Sequence, residues 1–228
     1  MANIDILIKT YHTNFVSLRF SLQSIKRFTA GFRRVIIVSN NDGHEIPESI
    51  QNIMPVTIVY KDVPTKRPEY LLQQILKLSW MEFTDADAVL FLDSDEILIT
   101  KVTPETFRDS SGRWRWAYRN WEDAGSASRW KDPTQKILKF EPQFEATPSA
   151  PFVFERKTTD NFIQYLKEIH GATDLFDVFF KYGMTLFSDY NAYGSYVLKF
   201  DNDVYYPSIN NFERQKRLIV KYSLDKAC

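Results

Sequence analysis

The chain has 228 residues, 29 basic and 29 acidic side chains, 44% apolar residues and 15% aromatic ones. That is enough apolar material for one generous α/β domain, while zero net charge gives no electrostatic ground for binding nucleic acid. The one cysteine, Cys228, excludes an internal disulfide and favours a reducing compartment. Asp5 and Lys9 interrupt a short apolar run at the start, unlike a signal peptide, and no stretch approaches the ~18 apolar residues of a membrane span. The expectation is a soluble, cytoplasmic, single-domain globular chain.

Strand and helix alternate through the first half. Ile4-Asp5-Ile6-Leu7-Ile8 predicts a strand and residues 9–14 a polar loop. Phe15, Leu18, Leu22, Ile25 and Phe28 recur at three- and four-residue steps, which marks an amphipathic helix over 15–28. Val35-Ile36-Ile37-Val38 is a second strand, closed by the turn formers Ser39-Asn40-Asn41-Asp42-Gly43. A short helix after Pro47, a strand over 56–60 and a polar loop over 61–68 follow. Leu71, Leu72, Ile75, Leu76 and Leu78 place a helix over 70–81, and Ala88-Val89-Leu90-Phe91-Leu92 is a fourth strand. This alternation predicts an α/β fold with a mainly parallel, twisted, Rossmann-like sheet flanked by helices.

The second half is less regular. Arg113 to Tyr118 alternates as a half-exposed strand would. Asp132-Pro133 opens a helix to about Phe140, and Phe152-Val153-Phe154 is a short strand. Helices are expected over 159–169, over 174–182 and from Ser188 or Asp189 toward Leu198. The change near residue 110 reads as a join between halves of one domain.

The most informative segment is Asp93-Ser94-Asp95-Glu96, directly after the fourth strand. Carboxylates there lie at the edge where open α/β sheets bind ligands, and Asp-x-Asp suits a hard divalent cation that completes its shell with substrate phosphates. The ordinary alternative is a strand end whose Asp residues cap the next turn.

With Asp93-Ser94-Asp95 in this context, the chain resembles the nucleotide-sugar glycosyltransferases of the GT-A fold. Ile8-Lys9-Thr10-Tyr11, Tyr70 to Leu78, Ala150-Pro151-Phe152-Val153 and Phe187 to Gly194 are similar to a smaller group within that fold, which includes domains from large DNA viruses of algae. The resemblance implies transfer of a sugar (a hexosyl or deoxyhexosyl group) from a nucleoside diphosphate, UDP first, to a glycan hydroxyl. It would make 1–110 a nucleotide-binding half and 111–228 an acceptor-binding half of the one domain. It implies Mn²⁺ or Mg²⁺ on Asp95, with Asp93 assisting it or holding the ribose, and Asp189 as the base if the reaction inverts; a retaining reaction would need no such base, and the sequence leaves the two open. The alternative for Asp189 is a helix N-cap. Asp174, Asp177, Glu122 and Asp123 are lesser candidates for the base.

Thr10, Tyr11 and Asn40 (with Asn41) end the first two strands, where the nucleoside should sit. Lys77 and Lys9 are candidates for the diphosphate, and one of Gln73 and Gln74 for the cleft. Trp114, Trp116, Tyr118, Trp121 and Trp130 are candidates for an acceptor-sugar surface. His170, Asp201 and Asp203 are open possibilities for a further metal ligand. A sugar nucleotidyltransferase is the nearest rival, although the loop over 9–15 lacks the glycine-rich element it would need. A non-catalytic carbohydrate-binding domain is the other.

Overall fold

The computed structural model describes residues 3–62, 69–148, 150–181, 188–208 and 218–221. The expectations that fall on residues 63–68, on 182–187 and on Cys228 lie outside them. The elements run β1 (Ile4–Thr10), α1 (Phe15–Phe28), β2 (Val35–Asn40), α2 (Glu48–Gln51), β3 (Thr57–Lys61), α3 (Glu69–Leu78), β4 (Ala88–Asp93) and β5 (Glu96–Leu98). They continue with β6 (Trp114–Ala117), α4 (Lys131–Leu138), β7 (Phe152–Glu155), α5 (Arg156–His170), α6 (Leu175–Lys181), α7 (Asp189–Phe200), β8 (Tyr205–Ser208) and β9 (Ile219–Lys221).

The fold is mixed α/β, with a mainly parallel five-stranded sheet in the order β3-β2-β1-β4-β7, flanked by helices. β1 and β4 are buried along nearly their whole length, because helices on a parallel sheet leave neither face to water. That is why β4 reads as an apolar run up to its terminal acid, and β1 as one broken by Asp5 before its polar end. β1 lies between β2 and β4 in parallel register, with Lys9 opposite Asp93 at the carboxyl ends. The crossovers leave β1 in opposite directions, so the β1–β4 edge is the switch point at which such sheets bind ligands.

One strand departs from the parallel pattern. β7 pairs antiparallel with β4, Phe91 opposite Phe152. It arrives from the irregular second half, after a long connection that includes α4 and brings the chain back along β4 in the opposite direction. Two small sheets, β5 with β9 and β6 with β8, pair segments far apart in sequence, and the first of them joins the two halves.

Asp5, the acid that breaks the first apolar run, is fully buried near the amino end of β1. Arg33 Nε donates to it at 2.8 Å and Arg34 Nε at 3.1 Å, and Thr84 donates as well. Burial works against its charge, but the hydrogen bonds from Arg33, Thr84 and Arg34 outweigh that and lower its pKa. It is an anchor at the end of the sheet away from the carboxyl edge.

The tryptophan-rich segment is mostly core. Trp116 is fully buried, stacked on Phe152 with centroids 4.7 Å apart, and its indole N–H donates to Ala146 O at 2.9 Å. Trp121 is buried and donates to Pro142 O, while Arg108 lies 3.5 Å over the Trp114 ring. α7 packs against this cluster through Gly194. A Cβ there would lie 2.3 Å from Trp116 Nε1 and 2.5 Å from the Ala146 Cβ. Only glycine allows this approach, which fixes α7 and with it Asp189.

Candidate active site

A cleft of about 540 Å³ opens at the carboxyl ends of β1 and β4. Its walls include Lys9, Tyr11 and Asn14 from the first connection and Tyr70, Gln73, Gln74 and Lys77 from α3. Asp93, Ser94, Asp95 and Glu96 follow from β4, and Trp130, Ser188, Asp189 and Lys221 close it. Asp189 Oδ2 and Lys77 Nζ lie 3.8 Å apart, so segments remote in sequence meet here.

Lys77 is the hub. Its helix would expose a lysine at the polar face, yet this one is buried between α3, β4 and α7. Its ammonium donates to Asp93 Oδ1 and to the Tyr190 hydroxyl, both at 3.1 Å. Burial disfavours the charge, but Asp189 and Asp93 overcome it and hold the pKa well above the lysine range. Lys77 therefore stays cationic and joins the acidic rim to Asp189.

Asp189 occupies the first position of α7. Ser188 serves as the N-cap, its hydroxyl accepting from Asn191 N–H at 3.2 Å, so the Asp189 carboxylate is released from that task. Gln74 Oε1 accepts from the Asp189 backbone N–H at 2.8 Å. Asp189 Oδ2 is buried with no hydrogen-bond partner. Burial pushes the carboxyl up to about 6 against the pull of Lys77.

Three carboxylates gather at the rim around the Lys221 ammonium: Asp93 Oδ2 at 3.3 Å, Asp95 Oδ1 at 3.7 Å and Glu96 Oε1 at 3.9 Å. Lys77 and Lys221 outweigh the effect of burial on Asp93 and lower its pKa. Glu96 behaves oppositely. Burial, with Asp93 beside it, raises its pKa, and its Oε1 is buried without a hydrogen bond while Oε2 accepts from Asp93 N–H at 3.0 Å. Burial also raises Asp95, against Lys221. A buried, unbonded carboxylate oxygen next to two further acids is a donor set that fits a hard divalent cation. In the present arrangement the ammonium of Lys221 lies among these acids.

The remaining candidates are scattered. Tyr11 faces the cleft, but Thr10 is buried outside its lining. Asn40 Oδ1 accepts from Lys9 Nζ at 2.7 Å, and Asn41 donates to Asp62 at 2.6 Å; neither lines the cleft. Both Gln73 and Gln74 line it. Of the five aromatic candidates for the acceptor surface only Trp130 reaches it, stacked on Tyr70 at 5.8 Å. Tyr118 lines a separate cavity of about 400 Å³. His170 is buried at the end of α5 with Nε2 bonded to Ile137 O, Asp201 accepts from Thr158, and neither these two nor Asp203 lines the cleft. Glu122, Asp123, Asp174 and Asp177 lie outside it too.

Sequence reasoning gave Glu96 no role within the acidic segment and missed Tyr70 and Lys221 as site residues. Glu96 carried a signal, being a third acid directly after Asp-x-Asp. Tyr70 precedes the apolar stripe of α3 and so could have been placed on another face. Lys221 carried none, because only the β5–β9 pairing brings it to the rim.

No protein-family model matches the chain, and a search of the curated proteins finds no match. Among the described residues, no helix is long and apolar enough to cross a membrane.

Proposed function

We propose that the chain is a GT-A-type glycosyltransferase that moves a sugar from a nucleoside diphosphate, UDP first, to a hydroxyl of a glycan acceptor. The observation that carries this reading is the meeting, across the Lys77 ammonium, of an acidic rim and a separate buried carboxylate with raised pKa in one cleft. Two acidic sites of opposite character suit a reaction that has both a leaving anion and a proton to remove.

Asp95, Asp93 and Glu96 would hold Mn²⁺ or Mg²⁺. A cation bound there supplies electrostatic stabilisation for the charge growing on the diphosphate. The chain's own groups do the rest. Tyr11 and Asn14 border the carboxyl end of β1, where the nucleoside belongs. The Tyr70–Trp130 pair offers a flat apolar face to an acceptor ring. Asp189 takes the proton from the acceptor hydroxyl as that oxygen bonds to the anomeric carbon and the bond from that carbon to the diphosphate oxygen breaks, with inversion. Asp189 lines the cleft yet is almost fully covered, so this step requires the hydroxyl to reach a buried carboxylate. Lys77 keeps both acids in place.

A second reading rests on Lys221. Its ammonium lies where the carboxylates converge, so it could itself act as the fixed cation facing the diphosphate.

Incubation with UDP-sugars and Mn²⁺, comparing the chain with Asp95→Ala, tests the function. Donor turnover should fall by about 10²–10³-fold, the effect of losing one charge-stabilising group. Turnover unchanged in the variant refutes the role of the rim. Sugar binding without turnover of any donor favours a carbohydrate-binding domain, and pyrophosphate release from a nucleoside triphosphate favours a nucleotidyltransferase.

A further inference from the structure

A second cluster lies at the carboxyl edge, on the connections that follow β1 and β2, and the proposed function does not use it. Asp42 presents its two carboxylate oxygens to two histidines: Oδ2 is 2.8 Å from His12 Nδ1 and Oδ1 is 3.2 Å from His44 Nδ1. The two imidazoles stack with centroids 4.2 Å apart and planes 22° from parallel. The three donor atoms lie within 4.8 Å of one another, the one such group of His, Cys, Asp or Glu among the described residues. All three side chains are open to solvent, so an ion has access.

We propose that His12, Asp42 and His44 form a binding site for a transition-metal ion of the Zn²⁺ class, which ties the β1–α1 connection to the β2–α2 connection. Two imidazoles and one carboxylate favour Zn²⁺, Ni²⁺, Co²⁺ or Cu²⁺ over Mg²⁺ or Ca²⁺, which take oxygen ligands. Three protein ligands leave room for a water in a tetrahedral shell. Each histidine ligates as neutral imidazole, its proton on Nε2 and the Nδ1 lone pair turned to the ion. The Asp42 charge offsets part of the ion's charge. His12 and Asp42 are 30 residues apart in sequence, so the ion closes a long loop. Tyr11, the neighbour of His12, lines the cleft, and the clip would therefore steady one of its walls. The site is separate from the acidic rim and does not depend on the glycosyltransferase reading.

The test uses the chain without a polyhistidine tag, stripped of metal and titrated with Zn²⁺ by calorimetry and with Co²⁺ by visible absorption. Besides any ion taken by the acidic rim, one equivalent should bind through His12, Asp42 and His44, with a Co²⁺ d–d band of low-symmetry geometry. His12→Ala and His44→Ala should each weaken Zn²⁺ by at least about tenfold and remove the band, and Asp42→Asn should weaken it less. Asp95→Ala, which touches only the rim, should leave this binding intact. A Zn²⁺ equivalent and Co²⁺ band that survive unchanged when His12→Ala and His44→Ala are combined with Asp95→Ala, or that Asp95→Ala alone abolishes, overturn the proposal. So does the lack of a saturable equivalent in the unsubstituted chain. Because both histidines are exposed, loss of fold does not obscure the result, and circular dichroism of each variant verifies this.

Discussion

Asp189→Asn separates a catalytic carboxylate from a structural one. Burial raises the Asp189 pKa from 3.8 to about 6, and a gap of about two units is worth ~3 kcal/mol between the two protonation states. The folded pKa lies above the unfolded value, so the folded chain holds this proton more tightly. The stabilisation is fully present below about pH 4 and is lost as pH rises through about 6. At about pH 8 the buried anion therefore costs the fold up to ~3 kcal/mol relative to the protonated state. Asn is neutral at every pH and keeps the side chain's shape. In urea melts the variant should match the unsubstituted chain near pH 4 and exceed it increasingly up to about pH 8. Activity should move the other way. Losing a general base lowers kcat/KM by about 10²–10⁴-fold. The rise of kcat/KM with pH through about 6 should vanish with it. A variant destabilised equally at both pH values, or one that keeps turnover and the acid limb, refutes the assignment.

Lys221→Ala distinguishes the two readings of the rim: with the competing ammonium gone, Mn²⁺ should bind about tenfold tighter, or ~1.4 kcal/mol, while turnover persists. If turnover instead collapses and Mn²⁺ does not restore it, the lysine itself is the working cation. Gly194→Ala should cost about 1–3 kcal/mol through overpacking against Trp116 and Ala146, seen as a lowered Tm, and a variant as stable as its parent would contradict the packing described at this helix.

Where the pattern was periodic, the sequence reading located the elements closely. The helix expected over 15–28 is α1, residue for residue, because its apolar spacing and its buried face are the same fact. β4 was legible as a buried run with acids at its end, and the cleft is lined by those acids. The tryptophans were less legible. Alternation along 113–118 says that one face of a strand is covered, but not whether by core or by ligand, and β8 and α7 supply the cover. Strand direction was equally hidden, since β7 has the same composition whichever way it runs.

The sequence by itself determined the α/β alternation, the apolar strands and the acidic switch point at residues 93–96, because those depend on short-range periodicity and on where a strand must stop. Only the tertiary structure decided that Lys77 is buried between Asp93 and Asp189, that Ser188 takes the cap and leaves Asp189 without a hydrogen bond on Oδ2, and that Lys221 reaches the rim. These depend on contacts between segments far apart in the chain. The resulting charge balance and loss of water exist only once those segments pack.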